Sequence, residues 1–114
     1  IFRFDIGISK KIKGRSGIKY EVDIVAEKKD ASPKRLLIKC KSLTEETILR
    51  VDEVLCFWAQ VIDASADRGV IVTTCEVSES AAQFARSHQV SIITGRRPNE
   101  LRYKILEPEI LGLK

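Results

Sequence analysis

Apolar and polar residues alternate along the first part of the chain. Residues 1–9 place Phe2, Phe4, Ile6 and Ile8 on one side, which is the two-residue period of a half-buried strand. The segment KKIKGRSGIK follows, and its glycines and basic residues predict a long, mobile turn. Residues 20–27 and 35–41 read as two more strands joined by the polar turn KKDASPK. The pattern therefore predicts an antiparallel meander of three strands.

Helical and extended patterns alternate in the rest of the chain. Apolar residues at helical spacing predict a helix that begins at Ser42, where SLTE fits a capping box, and ends near residues 64–68. A strand at 69–74, a helix at 78–87, a strand at 90–93 and a short helix at 98–106 follow. Such crossovers are right-handed and make their strands parallel. The fold class predicted is α/β, with a mixed sheet flanked by helices.

Charged residues concentrate on one predicted face of the second and third strands. Regular alternation places Glu21, Asp23, Val25 and Glu27 on one face and Tyr20, Val22, Ile24 and Ala26 on the other. A turn centred near Ala31 would put Asp23 opposite Lys39 and Glu21 opposite Lys41. Two interpretations stay open. Opposite charges across a hairpin stabilise it by about 0.2–1 kcal/mol, or the same residues form a site that acts on a nucleic-acid backbone.

The net positive charge is concentrated in the N-terminal part of this 114-residue chain, which has the length of one domain. Residues 1–43 hold 12 Lys and Arg against 5 Asp and Glu, whereas residues 44–114 hold 8 against 11. This asymmetry favours an acidic partner, and a DNA phosphate backbone is the usual one. The residues predicted to grip phosphates are Lys10, Lys11, Lys13, Arg15, Ser16 and Lys19. The alternative is a solvated hairpin loop.

Cysteine usage and chain ends set further expectations. Cys40, Cys56 and Cys75 are isolated within apolar segments, which predicts reduced, buried thiols in a cytoplasmic protein. The one His gives no zinc-ligand spacing, and no apolar run approaches the ~20 residues that span a bilayer. The chain has no Met, so we expect a fragment of a longer protein. Residues 107–114, around Pro108, are expected to form a loose tail.

The central segments resemble a known nuclease superfamily. YEVDIVAEKK followed by RLLIKCKS is similar to the PD-(D/E)XK superfamily, in particular its Mrr-type restriction-endonuclease-like branch, and to archaeal Holliday junction resolvases. That family carries an Asp on one strand and acid-x-Lys on the next. Asp23 matches the Asp, Cys40 the x and Lys41 the Lys. VDEVLCFWA, GVIVTT and SESAAQFARSHQVSIITG are also similar, so the resemblance covers about residues 2–95, without the helix that precedes the first strand in many relatives.

The resemblance implies metal-dependent hydrolysis of DNA. Asp23 and the backbone carbonyl of Cys40 would hold Mg²⁺ or Mn²⁺, which lowers the pKa of a bound water. Lys41 would position that water and neutralise the charge that develops on the phosphate. Relatives often work as dimers, which makes a homodimer one candidate assembly, but the sequence shows no clear interface for it.

One residue departs from the family pattern. Lys39 stands where the second acid belongs, and a protonated lysine cannot ligate a hard cation. Three explanations are open: Glu21, or Glu45 or Glu46 of the next helix, supplies the ligand; Lys39 replaces the metal's charge; or the domain only binds. The sequence thus leaves three functions open. They are a Mg²⁺-dependent endodeoxyribonuclease, a non-catalytic nucleic-acid-binding or regulatory module, and a structural domain with solvated charges.

Overall fold

The computed structural model describes residues 5–28, 34–41 and 48–95. The elements of these parts, in chain order, are β1 Asp5–Lys13, β2 Lys19–Lys28, β3 Lys34–Lys41, β4 Ile48–Leu49, α1 Val51–Asp63, β5 Arg68–Thr73, β6 Glu76–Val77, α2 Glu79–Ser87 and β7 Val90–Thr94. The predicted helix at 98–106, the expected tail at 107–114 and the predicted capping box at 42–45 lie outside the described residues.

The main sheet is mixed and has five strands in the order β1-β2-β3-β5-β7. β1, β2 and β3 are antiparallel neighbours, whereas β3, β5 and β7 run parallel. This confirms the predicted class, an antiparallel meander followed by parallel crossovers. The helices α1 and α2 share one core cluster with the sheet, centred on Leu37, Phe57 and Ile71. Within the described residues no helix combines the length and apolar character that crossing a membrane requires.

The helix α1 begins at Val51, so the prediction that it begins at Ser42 was wrong. Ile48 and Leu49 form the strand β4, which pairs in parallel with Glu76 and Val77 of β6. Leu49 is 1% exposed, and its carbonyl accepts the N–H of Ser78 at 3.0 Å. Burial and pairing with a distant segment therefore override the helical spacing that Ile48 shows in the sequence.

The ladder between β1 and β2 is interrupted at one place. Ile8 pairs with Ile24 and Lys10 with Val22, but neither Ser9 nor Asp23 has a pairing partner in this ladder. Val22 and Val25 pack into the core under α1, whereas Ile24 belongs to a separate cluster on Ile38. The predicted regular alternation along β2 was therefore wrong. Beyond the interruption, the side chains of this strand lie on the opposite face from the one that regular alternation assigns to them.

The turn between β1 and β2 is fastened to the end of α1. The carboxylate of Asp63 accepts hydrogen bonds from the N–H of Ser16 at 3.0 Å, from Ser16 Oγ at 2.6 Å and from the Tyr20 hydroxyl at 2.6 Å. These bonds, those from Ser16 and Tyr20 side chains first, lower the pKa of Asp63. The segment predicted as a long turn is thus strand up to Lys13, followed by a short turn held by hydrogen bonds.

The three cysteines differ in exposure. Cys75 is buried, as predicted, but Cys40 and Cys56 are exposed. Their apolar neighbours in the sequence predicted burial for all three. An apolar neighbourhood along the chain therefore does not decide which side of a strand or helix a side chain lies on.

Gly69 allows α1 to pack closely on β5. A Cβ atom at Gly69 would lie 2.5 Å from Val61 Cγ2 and 2.6 Å from Phe57 Cε2, both in the buried core. We expect Gly69→Ala to lower the free energy of unfolding by about 1–3 kcal/mol, because the added methyl overpacks this contact. Urea denaturation measures the loss.

A double variant tests the cause. Val61→Ala removes the nearest atom, so Gly69→Ala with Val61→Ala should lose less stability than the two single losses together. A strictly additive loss would contradict steric conflict at this contact.

Candidate functional site

The register between β2 and β3 is the one expected from the sequence. Ile24 pairs with Ile38 and Lys28 with Lys34, and one further step places Asp23 opposite Lys39. The backbone pairs end at Ile24 and Ile38. Beyond them, the carboxylate of Asp23 accepts the backbone N–H of Cys40 at 2.8 Å. Asp23 is thereby tied to the central strand β3, although its side chain lies at the protein surface.

A polar cavity of about 310 Å³ opens beside this hydrogen bond. It lies between the β2–β3 pair and α1, at the carboxyl end of β3. Open α/β sheets commonly bind ligands at that end of their parallel strands. The residues that line the cavity are Glu21, Val22, Asp23, Lys39, Cys40, Phe57 and Gln60.

Asp23 and Lys39 share the cavity without forming an ion pair among the described residues. The carboxylate of Asp23 is held by a backbone N–H instead. The interpretation of these two residues as a cross-strand salt bridge that stabilises the hairpin is therefore not what the structure shows.

Lys41 binds a residue that the sequence did not single out. Its Nζ lies 2.5 Å from both carboxylate oxygens of Glu53, in the first turn of α1. The side chains of Lys41 and Glu53 are 17% and 35% exposed. The predicted position of Lys41 opposite Glu21 is not among the β2–β3 pairs, and Glu53 is the partner. The proposed substitutes Glu45 and Glu46 lie outside the described residues.

A signal for Glu53 was present in the sequence. Glu53, Phe57 and Gln60 are spaced by four and three residues, so they share one face of α1. Phe57 and Gln60 line the cavity. The spacing alone does not decide that this face of α1 meets the strands, because that depends on how the helix packs on the sheet.

Glu53 is a stably ionised carboxylate. Partial burial acts to raise its pKa, but the hydrogen bond from Lys41, the bond from the Arg50 N–H and the charges of Lys41 and Lys39 outweigh burial and lower the pKa. The Arg50 N–H donates to Glu53 Oε2 at 3.4 Å. Glu53 is thus held from two sides, and it fixes the position of the Lys41 ammonium.

The thiol of Cys40 is not poised for chemistry. Partial desolvation and then the charge of Asp23 raise its pKa. A protonated thiol is neither a nucleophile nor a metal ligand. Cys40 therefore contributes through its backbone.

The cavity contains two carboxylates, which are donors of the kind that a hard divalent cation prefers. In the described parts of the chain, no three or more carboxylate, imidazole or thiol groups gather into a metal cluster. Mg²⁺, however, is usually held by one or two carboxylates together with water and substrate phosphates. Glu21 and Asp23 supply two such carboxylates in one cavity, and Lys39 adds an opposing charge there.

The residues predicted to grip phosphates are exposed but lie in different surroundings. Lys10 pairs with Val22, a cavity residue, whereas Lys13 pairs with Lys19 at the far end of the hairpin. Lys11 lies opposite Glu21. Arg15 Nε donates to Ser65 Oγ at 2.9 Å, and Ser16 is bound to Asp63. Of this set, Lys10 and Lys11 stand nearest to the cavity in register.

Comparison with known proteins gives a family. Residues 4–101 match the model of the Mrr catalytic domain, described as a restriction endonuclease. No curated protein matches the chain.

Solved structures share the fold. A protein of unknown function, AF1548, superposes with a TM-score of 0.70 at 21% identity, covering 95% of this chain and 55% of that one. The DNA modification-dependent restriction endonuclease AspBHI gives a TM-score of 0.55 at 18% identity, with 90% and 29% covered. The MspJI restriction endonuclease, in complex with a 27-mer oligonucleotide, gives 0.52 at 18% identity, with 96% and 28% covered. The chain spans about half or less of each.

The Glu53–Lys41 pair should make stability depend on pH. The folded-state pKa of Glu53 is lowered, so the stabilisation is present above its unfolded pKa of about 4.3 and is lost as the pH falls. We expect the melting temperature of the wild type to exceed that of Glu53→Gln at about pH 7 and the gap to shrink towards about pH 3. Thermal unfolding followed by circular dichroism measures it.

Asp52→Asn is the matched control. Asp52 is an exposed carboxylate in the same helical turn, without an ion pair among the described residues. A gap for Glu53→Gln that stays constant over this pH range, or equals that of Asp52→Asn throughout, would contradict the role of the pair.

Proposed function

The chain belongs to the restriction endonuclease family of the Mrr catalytic domain, and from this membership we propose that it hydrolyses phosphodiester bonds of DNA. The observation that carries the proposal is the placement of Asp23 and Lys41. Asp23 lines a polar cavity at the carboxyl end of β3, and Lys41 is the last residue of that strand. This is the order of acid and lysine that the family's chemistry needs.

The proposed roles fall to residues of the cavity and to Lys41, which follows Cys40 on β3 but is not among the residues that line the cavity. Glu21 and Asp23, with the backbone carbonyl of Cys40, would hold Mg²⁺ or Mn²⁺. The bound cation supplies charge compensation for the phosphate and a more acidic water. Lys41, oriented by Glu53, donates hydrogen bonds to the water or to the developing charge on the phosphate.

DNA is the proposed partner. Residues 1–43 carry an excess of basic residues, and among those predicted to grip phosphates Lys10 and Lys11 on β1 lie nearest to the cavity in register. The structurally similar MspJI binds an oligonucleotide. A homodimer and a cytoplasmic location are further parts of this proposal, which sedimentation and cell fractionation test.

A second candidate function rests on Lys39. Lys39 lines the cavity and stands at the position of the family's second acid. A cation there binds a phosphate directly and opposes a metal ion. This observation favours a module that binds DNA without cutting it.

Removal of Asp23 tests the first candidate. We expect the wild type to cleave plasmid or branched DNA only with Mg²⁺ or Mn²⁺, and Asp23→Asn to lose about 10²–10³-fold in rate, as for other charge-stabilising groups. Gel electrophoresis of the products measures the rate. Asp52→Asn, exposed and on α1, should cleave as the wild type does. Equal cleavage by Asp23→Asn would remove Asp23 from the site.

Substitution of Lys39 separates the two candidates. If the protein is a nuclease limited by Lys39, Lys39→Glu restores the second acid and raises metal-dependent cleavage by about tenfold or more. If it only binds, Lys39→Glu weakens DNA binding, as seen by fluorescence anisotropy at low salt, and produces no cleavage. Lys39→Gln, which removes the charge without adding an acid, is the control for both readouts.

A further inference from the structure

Ser9 has a backbone conformation that serine rarely adopts. Its φ is 51°, in the left-handed region, inside an otherwise extended strand. The register places it directly across from Asp23, between the pairs Ile8–Ile24 and Lys10–Val22. Neither Ser9 nor Asp23 takes part in the ladder. The one left-handed residue among those described in β1 and β2 thus faces the acid of the cavity.

Side chains on both strands change face at this point. On β2, Val22 and Val25 enter the same core cluster, although residues three apart in a regular strand face opposite ways. On β1, a Cβ atom at Gly7 would lie 2.5 Å from Lys10 Cε, so positions 7 and 10 also share a face. The side-chain alternation is therefore broken at the same place in both strands, and the pairing register is the same on either side of the break.

We propose that the left-handed backbone at Ser9 is a positioning device for Asp23. If β2 alternated regularly while Val22 stayed in the core, Asp23 would face the side of the sheet away from α1. The shift allows Val22 to be buried and Asp23 to line the cavity next to it. It also allows the Asp23 carboxylate to accept the Cys40 N–H. The importance of this placement for function depends on the proposed hydrolysis. The positioning of Asp23 by Ser9 does not depend on it.

A purely local role for Ser9 makes a different prediction. β-Bulges also serve to bend edge strands and to limit their pairing. β1 is an edge of the main sheet in the described part of the chain. In that case a change at Ser9 would alter β1 and leave the bond between Asp23 and Cys40 intact.

Two substitutions at Ser9 separate these roles. Glycine adopts positive φ readily, whereas a β-branched valine does not. In Ser9→Gly we expect the Cys40 amide to exchange with solvent at about the wild-type rate, and in Ser9→Val at least about tenfold faster, because its acceptor has left. Amide hydrogen exchange by NMR gives this rate, and the three-bond coupling between the amide proton and the Hα proton of residue 9 reports its φ.

Ser65 provides the matched control. It is the other described non-glycine residue with positive φ, at 55°, and it lies beyond the end of α1, where its Oγ accepts from Arg15. Ser65→Val should leave the exchange of Cys40 unchanged. Equal acceleration by Ser65→Val and Ser9→Val would mean a general loss of stability and would overturn the proposal.

Ser9→Ala covers the case in which Ser9→Val does not fold. In every folded variant in which φ of residue 9 becomes negative, the Cys40 amide should lose its protection from exchange. In every folded variant in which φ stays positive, the Cys40 amide should keep that protection. A folded variant in which residue 9 becomes extended while Cys40 remains protected overturns the proposal.

Cleavage assays keep this inference distinct from the proposed function. If the wild type cleaves DNA, Ser9→Val should lose activity as Asp23→Asn does, and Ser9→Gly should retain it. If the wild type does not cleave, the proposed hydrolysis fails, but the exchange of Cys40 still decides whether Ser9 positions Asp23.

Discussion

The hydrogen bond from the Cys40 N–H to the Asp23 carboxylate is the contact on which the candidate site depends. β3 is a central strand, paired with β2 on one side and β5 on the other, so its backbone has little freedom to move. Asp23 lies where the β2 ladder is interrupted, and a side chain there would otherwise be free to rotate. The hydrogen bond therefore holds an exposed carboxylate in a fixed position relative to the centre of the sheet. A binding site needs its side chains held in this way before the ligand arrives.

The second wall of the cavity comes from α1, and close packing sets its distance from the sheet. Gly69 lets Phe57 and Val61 approach β5 within contact distance, so the same helical face that fills the core also brings Gln60 and Glu53 to the strands. Glu53 then holds Lys41. The core and the candidate site are therefore built from one helix face, and a change in packing at Gly69 would reach both.

The charges of the site are divided between two arrangements. Glu53 and Lys41 neutralise each other at the edge of α1, whereas Glu21, Asp23 and Lys39 face a common cavity without an ion pair among the described residues. The unpaired cavity charges can meet a phosphate, a cation or both. In the proposed nuclease the cavity holds a cation together with a phosphate, whereas in the proposed binding module Lys39 meets the phosphate directly.

The sequence by itself determined the mixed sheet, its parallel strands and the β2–β3 register that faces Asp23 with Lys39. It also predicted the helix at 78–87, which the structure has as α2 at Glu79–Ser87. These features follow from local periodicity and turn chemistry, which are legible over a few residues. Only the tertiary structure decided the start of α1, the pairing of Glu53 with Lys41 and the shift at Ser9. Each depends on contacts between residues far apart in the chain, such as Leu49 beside β6, and no local pattern encodes those distances.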